Sequence, residues 1–152
     1  MTFRDDLLRL FPRLRDLPTH AYVVGGAVRD LTLGTAPADV DVACLDPLAS
    51  ARALRRKVIR LGREEHLSAY RVVDGPHVYD FAALLDGSID ADLARRDFTI
   101  NAMAVDLEIE SHRHSHGFQH PQRIVIEIRC VDHAYETARE VGAAIVRIEE
   151  LA

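Results

Sequence analysis

Ala21-Tyr22-Val23-Val24-Gly25-Gly26-Ala27-Val28-Arg29-Asp30 is the stretch that decides the fold. Its first four residues form an apolar run that reads as a buried strand, and Gly25-Gly26 breaks that run before a short helical segment with Val28 and Leu31 three apart. A strand therefore feeds a turn and a helix start. Glycines at such a turn let the backbone come close to a ligand, and the first amides of the helix, with the helix dipole behind them, favour an anionic phosphate. Arg29 adds a fixed positive charge. Taken alone, a glycine pair after a strand is more often only a tight turn.

The next informative stretch is Asp39-Val40-Asp41-Val42-Ala43-Cys44. Its apolar alternation predicts a strand, on which residues two apart face the same side, so both carboxylates point one way. Neighbouring carboxylates repel and raise each other's pKa, an arrangement that is costly until a cation neutralises it. Mg²⁺ suits that need, because it takes hard oxygen ligands, retains waters and is commonly held by one or two carboxylates plus substrate phosphates. The alternative is a solvated sheet edge. Against it, Val40, Val42 and Cys44 give the strand a well-defined apolar face with which the aspartates contrast.

A second polar cluster lies in Leu93-Ala94-Arg95-Arg96-Asp97-Phe98-Thr99-Ile100-Asn101-Ala102, where two guanidinium groups precede an expected helix cap at Asp97. Planar, permanently charged guanidinium forks bind phosphate oxygens in pairs. Arg95 is expected to be solvated. Arg96 is expected to take phosphate, its alternative being an ion pair with Asp97 or Asp92.

In this order, Gly-Gly-Ala-Val-Arg-Asp, then Asp-Val-Asp beginning ten residues after Arg29, then Arg-Arg-Asp-Phe-Thr-Ile-Asn-Ala, the motifs resemble the head domain of the class II tRNA nucleotidyltransferase (CCA-adding enzyme) and bacterial poly(A) polymerase family. The resemblance covers about Ala21 to Leu107. It implies an α/β (α+β) fold, a nucleotidyltransferase-like mixed β-sheet flanked by helices, that transfers a nucleotide from ATP or CTP to an RNA 3′ end, with addition to tRNA preferred over polyadenylation. It further implies that Asp39 and Asp41 bind two Mg²⁺ ions, with Mn²⁺ able to serve for one in vitro. Gly25, Gly26 and Arg29 are then the nucleotide contacts of the first motif, and Arg96 that of the second. Asp97, Thr99 and Asn101 shape the ribose and phosphate pocket. A further carboxylate is expected on a neighbouring strand, and Asp80 in His77-Val78-Tyr79-Asp80-Phe81 is the natural candidate, with a half-exposed polar strand position as its alternative. The chemistry implied is two-metal phosphoryl transfer with pyrophosphate leaving.

The chain of 152 residues, 48% hydrophobic, is consistent with one globular domain rather than a disordered segment. A net charge of −5 is unfavourable for gripping an RNA backbone unaided. Arg52, Arg55, Arg56, Lys57 and Arg60 form a local basic patch, but at helical spacing such charges more often make a solvated face. Cys44 and Cys130 lie in apolar runs where buried, reduced thiols are usual. The apolar runs are too short and too often interrupted by charge for a signal peptide or a membrane span, so a cytoplasmic location and no membrane partner are expected.

Helical spacing predicts a helix from Phe3 to Leu14, stopped by Pro18. Asp46-Pro47 caps a second helix expected to run to about Leu61 and to end at Gly62. Strands at Ala69 to Val73 and Val78 to Ala83 flank Asp74-Gly75-Pro76 as a hairpin, followed by a short helix near Ile89 to Arg96 and a strand at Ala104 to Ile109. Residues 1–108 are therefore expected to form the head, with its N-terminal helix at 3–14. Residues 109–152 depart from the resemblance. A Gly-rich Asp-Pro segment and a base-reading neck helix are expected there. The chain instead carries Ser111-His112-Arg113-His114-Ser115-His116, a strand from Gln122 to Val131, a helix from His133 to Val141 and a short strand at Ala144 to Ile148. Leu85-Asp86 stands where the resemblance implies Arg-Gly. The histidine run is either an exposed loop or a transition-metal site. Two alternatives to an RNA-end transferase follow. One is a minimal transferase that modifies a protein or small molecule. The other is a truncated or inactive head, from truncation or a frameshift, that serves as a nucleotide-binding module or needs a partner chain carrying the missing neck and body.

Overall fold

The computed structural model describes residues 3–62, 69–96, 102–107 and 126–128. Helix α1, Phe3–Leu10, opens the chain. The expected single helix to Leu14 is broken at Pro12, which lacks an N–H and cannot continue an α-helix, and Pro12–Asp16 form a 3₁₀ turn instead. Strand β1, Ala21–Val24, then runs into helix α2, Gly26–Thr32. Strand β2, Asp39–Cys44, is followed by helix α3, Pro47–Ala53. The Asp46 carboxylate accepts from the Ala49 amide at 2.9 Å, and Pro47 fills the first turn, as the local sequence predicts.

The helix expected to reach Leu61 ends eight residues early. Leu54 caps it, Arg55 turns left-handed at φ 53°, and Val58–Leu61 form strand β3. The β-branched pair Val58-Ile59 prefers an extended backbone, and β4 offers it a partner: Val58 pairs with Val72 and Leu61 with Ala69. The basic residues 52–60 are therefore divided among a helix, a turn and an edge strand rather than gathered on one helical face.

Strands β4, Ala69–Asp74, and β5, His77–Ala83, form the predicted hairpin. Helix α4, Ile89–Ala94, is capped by Ser88, and strand β6, Met103–Asp106, follows. Strand β7, Ile126–Ile128, lies within the predicted strand from Gln122 to Val131 and pairs antiparallel with β6. The histidine run, Cys130, and the predicted helix and strand after residue 132 lie outside the described residues.

The seven strands of the described residues join one sheet in the order β3-β4-β5-β2-β1-β6-β7. Every pairing is antiparallel except β2 with β5, so the sheet is mixed, as expected. One face carries the main core: Val23, Val40, Val42, Val72, Tyr79 and Phe81 meet Leu7 and Phe11 from α1 and its end, Val28 from α2, and Ala51 and Leu54 from α3 and its cap. Phe11 packs edge-on against Tyr79 at 5.7 Å between ring centroids. The opposite face carries a smaller cluster in which Val24, Ala43 and Ala104 meet Leu84 and Leu93 under α4. Buried Cys44 is a free thiol, as expected, and its Sγ donates to the Ala82 carbonyl at 3.7 Å. Among the described residues no helix is long and apolar enough to cross a membrane.

Candidate active site

Alternation along β2 decides where the acidic residues go. Val40 and Val42 are buried in the main core, so Asp39 and Asp41 project from the opposite face, and both are exposed. Register carries this across the sheet. Asp41 pairs with Val24 on β1, a member of the smaller cluster, and with Asp80 on β5. Tyr79 and Phe81 are buried in the main core on either side of Asp80, which therefore shares the face of Asp39 and Asp41. Three carboxylates thus gather on one side of the central parallel pair.

Their proximity is felt at Asp41. Partial burial raises its carboxyl above the ordinary carboxylate range, and the charges of Asp80 and Asp39 raise it further, while Arg96 and Arg71 draw it back down. The residue keeps an open side to solvent, so its carboxyl is crowded rather than sealed in. Asp80 is not open in the same way. Arg71 on β4 lies directly opposite it and grips it with two contacts, Nε to Oδ1 at 2.7 Å and Nη2 to Oδ2 at 2.6 Å. Among the described residues, no three Asp, Glu, His or Cys side chains form a ready-made metal cage. The unspent acidity lies with Asp39 and Asp41.

The glycine turn sits at the end of β1, next to Val24, the partner of Asp41. Gly25 adopts φ 70° and ψ −130°, its N–H donates to the Met103 carbonyl at 3.0 Å, and its carbonyl accepts from the Val28 and Arg29 amides at 3.1 Å each. A side chain at Gly25 would be strained by that positive φ, so this glycine is set by the backbone. Gly26 differs. A Cβ there would meet Arg29 Nη2 at an ordinary 3.6 Å, so the missing side chain leaves open space beside a guanidinium instead of relieving a clash. Arg29 itself pairs with Asp30, Nη2 to Oδ1 at 2.7 Å.

The second motif meets the same face through α4. Asp92 is fully buried and holds both arginines: Arg95 Nε and Nη2 reach its Oδ1 at 3.2 and 2.9 Å, and Arg96 Nη2 reaches its Oδ2 at 3.0 Å. Arg96 is thus paired with Asp92, the alternative the sequence left open, yet its charge still acts on Asp41. Its Nε is buried with no hydrogen-bond partner among the described residues. Arg95 keeps its side chain 51% exposed, close to the solvated state expected of it, although it too binds Asp92. Asp97, Thr99 and Asn101 lie outside the described residues.

Sequence reading therefore brought together Gly25, Gly26, Asp39, Asp41 and Asp80, and it missed Arg71. The signal was present: a hairpin centred on Gly75 and Pro76 that pairs Asp74 with His77 must also pair residue 71 with residue 80.

A glycine turn beside a strand-borne aspartate pair, with an arginine helix closing the same face, agrees with the sequence profile of the poly A polymerase head domain, which matches residues 21–85 and 63–118. The chain belongs to this head-domain family. It is 43% identical over 91 residues to a CC-adding tRNA nucleotidyltransferase of Thermus thermophilus, an alignment covering 57% of this chain and 20% of the relative. It is 42% identical over 101 residues to an A-adding tRNA nucleotidyltransferase of Deinococcus radiodurans, covering 65% of this chain and 23% of the relative. A Bacillus stearothermophilus CCA-adding enzyme in complex with CTP superposes with a TM-score of 0.51 and 35% identity, over 70% of this chain and 28% of that one. The chain thus spans between a fifth and a third of the length of these family members. Two relatives of nearly equal identity differ in the base they are named for, so likeness in the head does not by itself separate C from A.

Proposed function

We propose that this chain is the catalytic head of a cytoplasmic nucleotidyltransferase that moves a nucleoside monophosphate from ATP or CTP to an RNA 3′ end, with tRNA CCA or A addition preferred over polyadenylation. The observation that carries the reading is the pairing of Asp41 with Val24 on one side and Asp80 on the other, which sets two same-facing carboxylates on β2 beside the Gly25-Gly26 turn. The domain reading goes with it: residues 1–108 are read as the head and 109–152 as an extension in place of the family's neck, with the correction that this extension lends β7 to the head's own sheet.

Asp39 and Asp41 fit Mg²⁺, since a crowded carboxyl pair that no arginine among the described residues grips directly is what such an ion relieves. When bound, Mg²⁺ supplies Lewis acidity that lowers the pKa of the attacking 3′-hydroxyl and neutralises charge on the triphosphate. The side chains of the chain mainly position the reactants. Gly26 leaves room for phosphate oxygens beside Arg29, and Arg96, held by buried Asp92, turns a preset guanidinium toward the same face. Asp97 and Asn101 continue that motif as ribose and phosphate contacts. Asp80 acts as the third acidic group, bordering Asp41.

The test uses purified full chain, Mg²⁺, α-labelled ATP or CTP, and tRNA lacking its 3′ terminus. Labelled tRNA, abolished by Asp41→Asn in a protein that keeps its fold, is the expected result. Label on a protein or small molecule instead of tRNA would move the reading to a minimal transferase. Label on tRNA only after a chain bearing neck and body domains is added would make this head partner-dependent. An active Asp41→Asn variant would overturn the assignment.

A further inference from the structure

Asp80 occupies the position from which a third carboxylate would reach a cation beside Asp41, yet both its oxygens are engaged by Arg71. A two-point guanidinium fork is short, charge-assisted and planar, so it fixes the direction of the carboxylate as well as its charge. The core does not require this pair. The Arg71 side chain is 41% exposed and that of Asp80 17%, and an ion pair approached from solvent in this way adds little to fold stability. The charge of Arg71 also reaches Asp39 and Asp41, so one strand-borne cation acts on the whole acidic group.

We infer that Arg71 is the resident counter-ion of this site: it holds Asp80 away from a bound divalent ion and weakens divalent binding, so that the ion is held firmly only when a nucleoside triphosphate brings further oxygens. The inference rests on the reading of Asp39 and Asp41 as the metal-holding pair. With Arg71 cancelling Asp80, two carboxylates remain for the ion, which is the number Mg²⁺ commonly takes from protein when phosphates supply the rest. Removing Arg71 both frees a third ligand and removes a repelling charge, and the two effects have the same sign. Arg71 is a positioning residue on this account, since it acts through Asp80 and not on the reacting atoms.

Mn²⁺ binding to the full chain without nucleotide, followed by the electron paramagnetic resonance of the free ion, tests this without any turnover. Arg71→Gln is expected to tighten Mn²⁺ binding roughly tenfold, a change of about 1.4 kcal/mol. In an Asp80→Asn background the same substitution is expected to tighten binding much less, because there is no carboxylate to release. With ATP present the difference between Arg71→Gln and the parent is expected to shrink. Arg71→Lys keeps the charge but not the fork, so it gives a smaller shift in the same direction and decides the matter if Arg71→Gln does not fold. Binding to Arg71→Gln that is absent, weaker, or within about twofold of the parent overturns the inference. Asp41→Asn separates the two levels: Mn²⁺ binding that survives it sinks the metal-pair reading itself, whereas its loss alongside an inert Arg71→Gln sinks only the role of Arg71.

Discussion

Asp41 holds its proton more tightly in the folded chain than an ordinary aspartate does, chiefly through burial and then through Asp80 and Asp39. Ionising it therefore costs the folded state. Its contribution to stability is intact below the ordinary carboxylate pKa of about 3.9 and is lost as pH rises from there through its raised value. In chelator, Asp41→Asn is expected to raise Tm at neutral pH, with the gap to the parent closing near pH 4; thermal melts across pH check this, and a lower Tm for the variant at neutral pH would contradict it. Saturating Mg²⁺ with ATP should stabilise the parent and leave the variant unmoved. Asp92 is a buried acid held by two arginines. Asp92→Asn leaves those guanidinium groups without their counter-charge, and denaturant unfolding should report a loss of about 3 kcal/mol, together with a raised KM for ATP as Arg96 loses its anchor. Residues 39 and 41 were legible because a two-residue repeat needs only local sequence. Asp80 was harder to rank, because its neighbourhood depends on a parallel register between distant strands that no local pattern encodes.

Elements were legible where punctuation is chemical. Asp46-Pro47 and the Asp74-Gly75-Pro76 turn each mark a boundary that the structure keeps. The misreadings came from stop signals placed too late, at Pro18 and Gly62, and read without the tertiary partners of the segments before them. Pro12 ended α1 early, and Val58-Ile59 left the helical pattern because β4 presented an edge. That hairpin is tied back to the first helical segment by Asp74, which accepts from Arg13 Nε and Arg56 Nε at 2.8 Å each. The Arg13 and Arg56 guanidinium groups hold the Asp74 carboxyl below its ordinary range. The stability it contributes is present above the ordinary carboxylate pKa and is lost as pH falls through its depressed value. Asp74→Asn should thus lower Tm at neutral pH but approach the parent in acid, and melts at pH 7 and pH 2.5 distinguish this from a pH-independent packing defect.

The molecule as a whole has a net charge of −5 and carries its basic residues 52–60 on three separate elements. Among the described residues, charges divided in this way offer few adjacent phosphate contacts. Binding of tRNA to this chain alone should weaken only gently with salt, with a log–log slope no steeper than about −3, whereas a slope beyond about −5 would reveal an RNA grip that these elements do not offer. The single parallel pairing at the centre of the sheet has a further effect. Asp41 and Asp80 are 39 residues apart in the chain, and β2 and β5 can join only after α3 and the β3–β4 ribbon have crossed between them. Pairing across that separation must meet the entropy of closing the intervening loop before its contacts reward it, so it follows the local β3–β4 and β4–β5 pairings. A nascent chain leaving the ribosome therefore exposes its Asp-Val-Asp segment well before Asp80 can join it, and the three carboxylates meet only once β2 and β5 have paired.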